Sequence, residues 1–131
     1  MSRVLAVLIV FLALIDGVAH LALDLFVFHS FTRGLLSELF ILDFVGYVAL
    51  IVVFLVAQRS SLSLRRLVDI VLIVYPIIAI LAWFYFTKGR GNPMGLGEIS
   101  KPTEVLLALA ALLHLTQLGS DGVRTSEAAR V

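Results

Sequence analysis

Residues 4–28 read VLAVLIVFLALIDGVAHLALDLFVF, an apolar run interrupted by Asp16, His20 and Asp24. A helix needs about 20 mostly apolar residues to cross a bilayer, so this run is long enough to be a transmembrane helix. Its three ionisable residues are spaced four apart, which places them along one helical face. Because a charged side chain near the bilayer centre costs at least about 2.5 kcal/mol, we expect this face to point into a helix bundle.

The composition of the whole chain also indicates a membrane protein. Of its 131 residues 61% are hydrophobic and only 15% are charged, and the mean hydropathy is +1.10. Soluble domains are about 45–50% apolar and about 25% charged. The formal net charge of +1 gives no reason to expect a nucleic-acid partner. The absence of cysteine excludes disulfides, thiolate metal ligands and iron–sulfur clusters.

Three further apolar runs follow the first. The sequence therefore predicts an all-α fold, an integral membrane antiparallel four-helix bundle in one domain over residues 1–120, with spans at about 4–28, 36–57, 67–86 and 102–118. Ser100 is a predicted N-cap of the fourth helix, and Gly119 is its predicted stop. Residues 121–131 are predicted to be a short soluble C-terminal tail.

The basic residues predict how the bundle lies in the membrane. One side, which carries both termini, has six of them, Arg3, Arg59, Arg65, Arg66, Arg124 and Arg130, and the other side has four, Arg33, Lys88, Arg90 and Lys101. Cytoplasmic loops are enriched in Lys and Arg, so both termini are predicted to be cytoplasmic. We expect an integral protein of a bacterial or archaeal cell membrane, with the lipid bilayer as its immediate partner.

Polar residues fall at matching depths when positions are counted from each helix centre at about 1.5 Å per residue. His20 and Asp43 share one level in the outer half, close to Asp16 and Tyr47 at the helix centres. These four residues form the predicted polar intramembrane site. A second level lies about 6 Å further out and forms a predicted outer vestibule of Asp24, Glu38, Glu104 and Lys101.

A further polar group is predicted in the inner half of the bundle, made by His114, Gln117 and Asp69. His114 and Gln117 share a face of the fourth helix and are expected to make hydrogen bonds between helices. Asp69 is expected to pair with Arg65 or Arg66 near the start of the third helix.

The chemistry of the first site predicts binding or relay of a proton or a cation. Imidazole titrates near neutral pH, and carboxylates accept protons when they are desolvated. One histidine with several carboxylates also suits a divalent metal ion, with His20, Asp24 and Asp43 as candidate ligands. The structural alternative is that Asp16 and His20 form a hydrogen-bonded pair that only fixes the helix register.

Other functions remain open from the sequence. The chain could be a non-catalytic accessory or assembly subunit of a larger membrane complex, or a homo-oligomer. Haem is disfavoured, because it needs two axial ligands at one depth and His20 and His114 lie about 10 Å apart in depth. A lipid-acting enzyme would use the buried carboxylates and the basic residues Lys88, Arg90 and Lys101. No nucleophile motif is present, so the sequence favours a role that is not enzymatic.

Overall fold

The chain folds into four α-helices in the computed structural model, which describes residues 2–27, 35–87 and 96–128. The helices are α1 (Ser2–Val27), α2 (Leu35–Ala57), α3 (Leu62–Thr87) and α4 (Leu96–Ala128). No strand occurs in these ranges, so the predicted all-helical fold is confirmed. Each helix contains a segment of 20 to 25 residues that is long and apolar enough to cross a membrane.

The distribution of side chains is the reverse of that in a soluble protein. Large apolar side chains lie on the outside, for example Val7 at 69% and Leu42 at 67% exposed. Among the residues whose burial the structure describes, seven polar or charged ones are buried instead: Asp16, His20, Asp69, Ser100, Thr103, Glu104 and His114. Soluble proteins rarely bury acidic residues, whereas a bundle in hydrocarbon must turn its polar groups inward. This pattern suggests a membrane protein.

The helices form a ring in which each contacts the helices before and after it, and α4 also contacts α1. Gly17 lies beside Phe44 and Tyr47, while His20 lies beside Asp43, so α1 and α2 run in opposite directions. α2 and α3 have the fewest contacts of the four neighbouring pairs. Apolar residues from all four helices fill the centre, including Ile9, Leu12, Tyr47, Phe54, Leu72, Leu107 and Ala111.

The turn between α2 and α3 is held by local hydrogen bonds. The Ser61 hydroxyl accepts a hydrogen bond from the Leu64 backbone N–H at 3.4 Å, as an N-cap residue does. The Ala57 carbonyl, at the end of α2, accepts hydrogen bonds from the Ser60 N–H at 2.9 Å and from Arg65 Nε at 3.3 Å. These bonds satisfy a carbonyl that has no partner within α2, so they stabilise the helix end.

Two helices extend beyond their predicted bounds. α3 begins at Leu62 rather than residue 67, because its first turns carry polar and basic residues that an apolar count leaves out. α4 begins at Leu96 and continues through Gly119 to Ala128, so Ser100 is inside the helix and Gly119 does not end it. A glycine ends a helix when it takes a left-handed conformation, and Gly119 does not take one. Residues 121–128, predicted to be a soluble tail, continue the helix.

Two glycines in helices provide a test of this packing. A Cβ atom at Gly46 would overlap the Tyr75 ring, whereas a Cβ atom at Gly119 would meet nothing within 4 Å. We expect Gly46→Ala to lower the free energy of unfolding by about 1–3 kcal/mol, as overpacking does. We expect Gly119→Ala to leave it unchanged or raise it by up to about 1 kcal/mol. Thermal unfolding in detergent, followed by circular dichroism, measures both, and equal shifts would contradict this packing.

Candidate functional site

Six polar residues from three helices meet in one half of the bundle, and we call them the acidic cluster. Its members are Asp16 and His20 from α1, Asp43 from α2, and Ser100, Lys101 and Glu104 from α4. α3 contributes Tyr75, whose hydroxyl donates a hydrogen bond to the Asp43 carbonyl at 3.4 Å. All four helices therefore depend on polar contacts in this region.

His20 is the centre of the acidic cluster. Its Nδ1 lies 2.9 Å from the Asp16 backbone carbonyl, and its Nε2 lies 3.0 Å from Asp43 Oδ2 and 3.7 Å from Glu104 Oε1. A carbonyl can only accept, so Nδ1 carries a proton. The contact between Nε2 and Asp43 Oδ2 then needs a second proton, held by the ring or by the carboxyl group. His20 and Asp43 therefore share a proton that can belong to either residue.

The other two carboxyl groups of the cluster are linked by Ser100. Its hydroxyl lies 2.8 Å from Asp16 Oδ1 and 3.4 Å from Glu104 Oε1. Lys101 Nζ contacts both oxygens of Glu104, at 2.6 and 2.8 Å. Asp43, His20, Glu104, Ser100 and Asp16 thus form an unbroken series of polar contacts across the bundle.

The charges of the acidic cluster do not balance. Its three carboxyl groups face one lysine, so full ionisation with neutral His20 would leave an excess of two negative charges. The Asp16 and Glu104 side chains are 0% exposed. An unpaired charge in such a place costs several kcal/mol. Full ionisation of all three carboxyl groups would therefore be unfavourable.

Two buried oxygen atoms of this region lie near each other. Asp16 Oδ2 and the Tyr47 hydroxyl make no hydrogen bond of normal geometry with the described part of the chain. The two groups nevertheless lie close enough to interact electrostatically. A small adjustment of either side chain lets the Tyr47 hydroxyl donate a hydrogen bond to Asp16, which gives Asp16 a second donor beside Ser100.

The same region contains a set of possible metal ligands. One ligand atom each from Asp16, His20 and Glu104 lies within 4.8 Å of the other two, and all three residues are buried. This set differs from the sequence-based candidates His20, Asp24 and Asp43. Of those three candidates, only His20 belongs to the set. Asp43 contacts the His20 ring, and the side chain of Asp24 lies outside the described residues.

A separate polar contact lies in the other half of the bundle. His114 Nδ1 is 2.8 Å from Asp69 Oδ2, and both side chains are buried. Asp69 therefore does not make its predicted pair with Arg65 or Arg66: Arg65 caps α2 instead, and Asp69 faces α4. Ten residues of α4, about 15 Å, separate Glu104 from His114, so the Asp69–His114 pair is distinct from the acidic cluster.

The remaining predicted residues occupy different surroundings. The structure brings Asp16, His20 and Asp43 together, with Tyr47 beside them. Of the predicted vestibule, Glu104 and Lys101 belong to the acidic cluster, and Glu38 is exposed. A helix that began at residue 102 would have Glu104 in its first turn. Because α4 begins at Leu96, Glu104 lies further inside the helix. Gln117 is half-buried, and its carbonyl accepts a hydrogen bond from Ser120.

Sequence analysis missed Ser100 and Tyr75 as members of this region. The position of Ser100, four residues before Glu104, was a usable signal, since that spacing puts both on one helical face. Tyr75 had no such signal. Its hydroxyl reaches the Asp43 carbonyl because Gly46 leaves room for its ring, a pairing between helices that sequence spacing does not reveal.

The Asp69–His114 pair predicts a measurable coupling between α3 and α4. In a double-mutant cycle of Asp69→Ala and His114→Ala, we expect a coupling energy of about 1–2 kcal/mol, the upper range for hydrogen bonds between membrane helices. Both groups are buried, which is the reason for the high value. A control cycle pairs Asp69→Ala with Thr116→Ala, whose exposed hydroxyl bonds within α4, and should be additive within about 0.5 kcal/mol. Equal coupling in both cycles would contradict the pair.

Comparison with known proteins gives a family but no activity. Residues 1–115 match a family of unknown function, DUF7475. No curated protein and no solved structure matches the chain. The matched residues include the whole acidic cluster and the Asp69–His114 pair. The chain belongs to the DUF7475 family.

Proposed function

We propose that this protein is an integral membrane protein whose acidic cluster binds a proton or a cation within the bilayer. The observation that supports this most directly is the excess of acidic over basic groups in a cluster of six residues, four of which are buried. Each acid has a partner, but the Ser100 hydroxyl beside Asp16 carries no charge, and His20 beside Asp43 is charged only when it is protonated. The fixed positive charge of Lys101 therefore offsets only one of the three carboxylates.

The contacts around His20 support a proton as the first ligand. The proton between His20 and Asp43 can move from the ring to the carboxyl group without any change of backbone position. Glu104 lies 3.7 Å from the same ring nitrogen, so a small rotation of the ring or the carboxyl group brings it within hydrogen-bond distance. Ser100 then joins Glu104 to Asp16.

This series of groups provides a path for the proton. Asp43 is the most accessible of the three acids, with 17% of its side chain exposed, whereas Asp16 is fully buried. A proton taken up at Asp43 could pass through His20 to Glu104 and on toward Asp16. Relay through imidazole and carboxyl groups in a membrane is chemically reasonable because each of them can both accept and release a proton.

Infrared spectroscopy tests proton binding. With the protein in lipid nanodiscs, we expect a pH titration to change the C=O stretch of protonated, buried carboxyl groups. Asp16→Asn should remove part of this signal, because an amide cannot take up the proton. Glu38→Gln is the matched control, since Glu38 is exposed on α2, and it should leave the signal unchanged.

Two outcomes would contradict proton binding. The first is a wild-type protein with no buried carboxyl signal at any pH. The second is an equal effect of Asp16→Asn and Glu38→Gln. Circular dichroism of each variant shows whether its helices are retained, and Asp16→Ser provides a second, smaller replacement if Asp16→Asn fails to fold.

A divalent cation is a second candidate, favoured by the ligand set of Asp16, His20 and Glu104. Lys101 opposes it, because its ammonium group contacts both oxygens of Glu104. At an effective dielectric constant of about 20, a charge about 4 Å away contributes about 4 kcal/mol, so the lysine must weaken metal binding considerably.

Removal of that lysine should therefore reveal any metal site. We expect Lys101→Gln to tighten Mn²⁺ binding at least about tenfold, which corresponds to about 1.4 kcal/mol. Electron paramagnetic resonance of free Mn²⁺ measures the binding. Arg59→Gln is the control, since Arg59 is an exposed cation in the turn between α2 and α3. No binding by wild type and Lys101→Gln would exclude the divalent ion and leave proton binding intact.

A further inference from the structure

A cleft of about 300 Å³ lies between α2 and α3, where the bundle is packed least closely. Four aromatic side chains line it: Phe40 from α2 and Tyr75, Trp83 and Phe86 from α3. His20, Asp43 and Lys101 lie at its polar end. The cleft thus connects the acidic cluster with an aromatic chamber.

The cleft is accessible from the outer, apolar surface of the bundle. Leu42 is one of its lining residues and is 67% exposed. In a bilayer this surface faces the acyl chains, so a molecule that enters here must first dissolve in the membrane. A volume of about 300 Å³ is at the lower limit for ligand pockets, which suits a small ring-containing molecule rather than a whole phospholipid.

The charges at the polar end favour a positively charged ligand. Lys101 forms an ion pair with both carboxylate oxygens of Glu104, so it is not available for an anion, and Glu104 offsets its charge toward a ligand at Asp43. Asp43 is partly exposed, in contrast to the fully buried Asp16 and Glu104, and it lies on the cleft wall. The carboxylate that a ligand meets first is therefore that of Asp43.

The aromatic side chains favour the same class of ligand. The face of an aromatic ring carries negative potential and attracts cations, most strongly in tryptophan. The structure contains one such contact, since Lys101 Nζ lies 5.9 Å from the centre of the Trp83 ring. An aromatic chamber with a carboxylate at its end has the composition that recognises organic ammonium ions.

We propose that this cleft binds a lipophilic organic cation, with its charged nitrogen near Asp43 and its apolar part between the aromatic rings. The inference rests on the proposed function, because a cation at Asp43 displaces the proton that Asp43 shares with His20. Binding of one cation then releases one proton from the His20–Asp43 contact. The cleft is in this way coupled to the acidic cluster.

Trp83 makes the proposal directly measurable. It is the single tryptophan of the chain and lies in the cleft wall, so tryptophan fluorescence reports on the cleft alone. The probe is 1-benzylpyridinium, a cation that quenches tryptophan, added to the protein in nanodiscs. We expect saturable quenching that benzyltrimethylammonium reverses. Neopentylbenzene has the same shape without the charge and should compete at least tenfold less well.

Substitutions at Asp43 test whether its carboxylate attracts the charged nitrogen of the ligand. Asp43→Asn should weaken binding of 1-benzylpyridinium at least tenfold, and Asp43→Glu should restore most of it by returning the carboxylate. Glu38→Gln, an exposed acid on the same helix, should have no effect. Asp43→Asn samples are first checked for helix content, and the Asp43→Glu rescue keeps the test valid if the amide variant folds poorly.

Each contrary result overturns the proposal. Equal competition by neopentylbenzene means that the cleft is only apolar, and unchanged binding in both Asp43 variants means that this carboxylate is not used. The infrared titration separates the two proposals. If the protein shows the Asp16-dependent infrared signal but does not bind the organic cation, only the proposal for the cleft is rejected. If it binds the organic cation without that infrared signal, the proposal for the proton site is rejected.

Discussion

The contact between His20 and Asp43 is the constraint on which the rest of the structure depends. The outer surface of the bundle is apolar, so α1 and α2 turn an acid and an imidazole toward each other rather than outward. The His20 imidazole, on α1, links three helices, because it contacts Asp43 on α2 and Glu104 on α4. A large rotation of α1 would carry Asp16 and His20 toward the apolar outer surface of the bundle, so the contact fixes the orientation of the first helix.

Close packing around this contact depends on small residues. An added Cβ at Gly17 would lie 3.2 Å from the Cβ of Tyr47, so this glycine allows α1 and α2 to approach. Gly46 similarly leaves room for Tyr75, whose ring packs edge to face against Tyr47 at 5.0 Å between centres. Glycine at helix contacts is common in membrane bundles, where close backbone approach substitutes for a hydrophobic driving force. Here it also brings two tyrosines beside the acidic residues.

The sequence predicted the four helices because twenty-residue apolar runs have one structural solution in a bilayer. It also predicted that His20 and Asp43 share one depth, since helical rise converts position into depth. It placed Glu104 in the outer vestibule rather than beside His20, because the count began at residue 102 whereas α4 begins at Leu96. It did not find the Asp69–His114 pair, because depth alone does not reveal which helical faces meet.

The two polar regions of the bundle differ in their ratio of acidic to basic residues. This difference distinguishes a structural contact from a candidate functional site. The Asp69–His114 pair has one acid and one base in direct contact, with the Phe54 ring 5.6 Å from the imidazole. This single acid–base contact joins α3 to α4 directly. The acidic cluster has three acids, one lysine and one histidine, and it adjoins the cleft between α2 and α3. Since a buried excess of acid destabilises a fold unless a ligand offsets it, the uneven region is the one where function is expected.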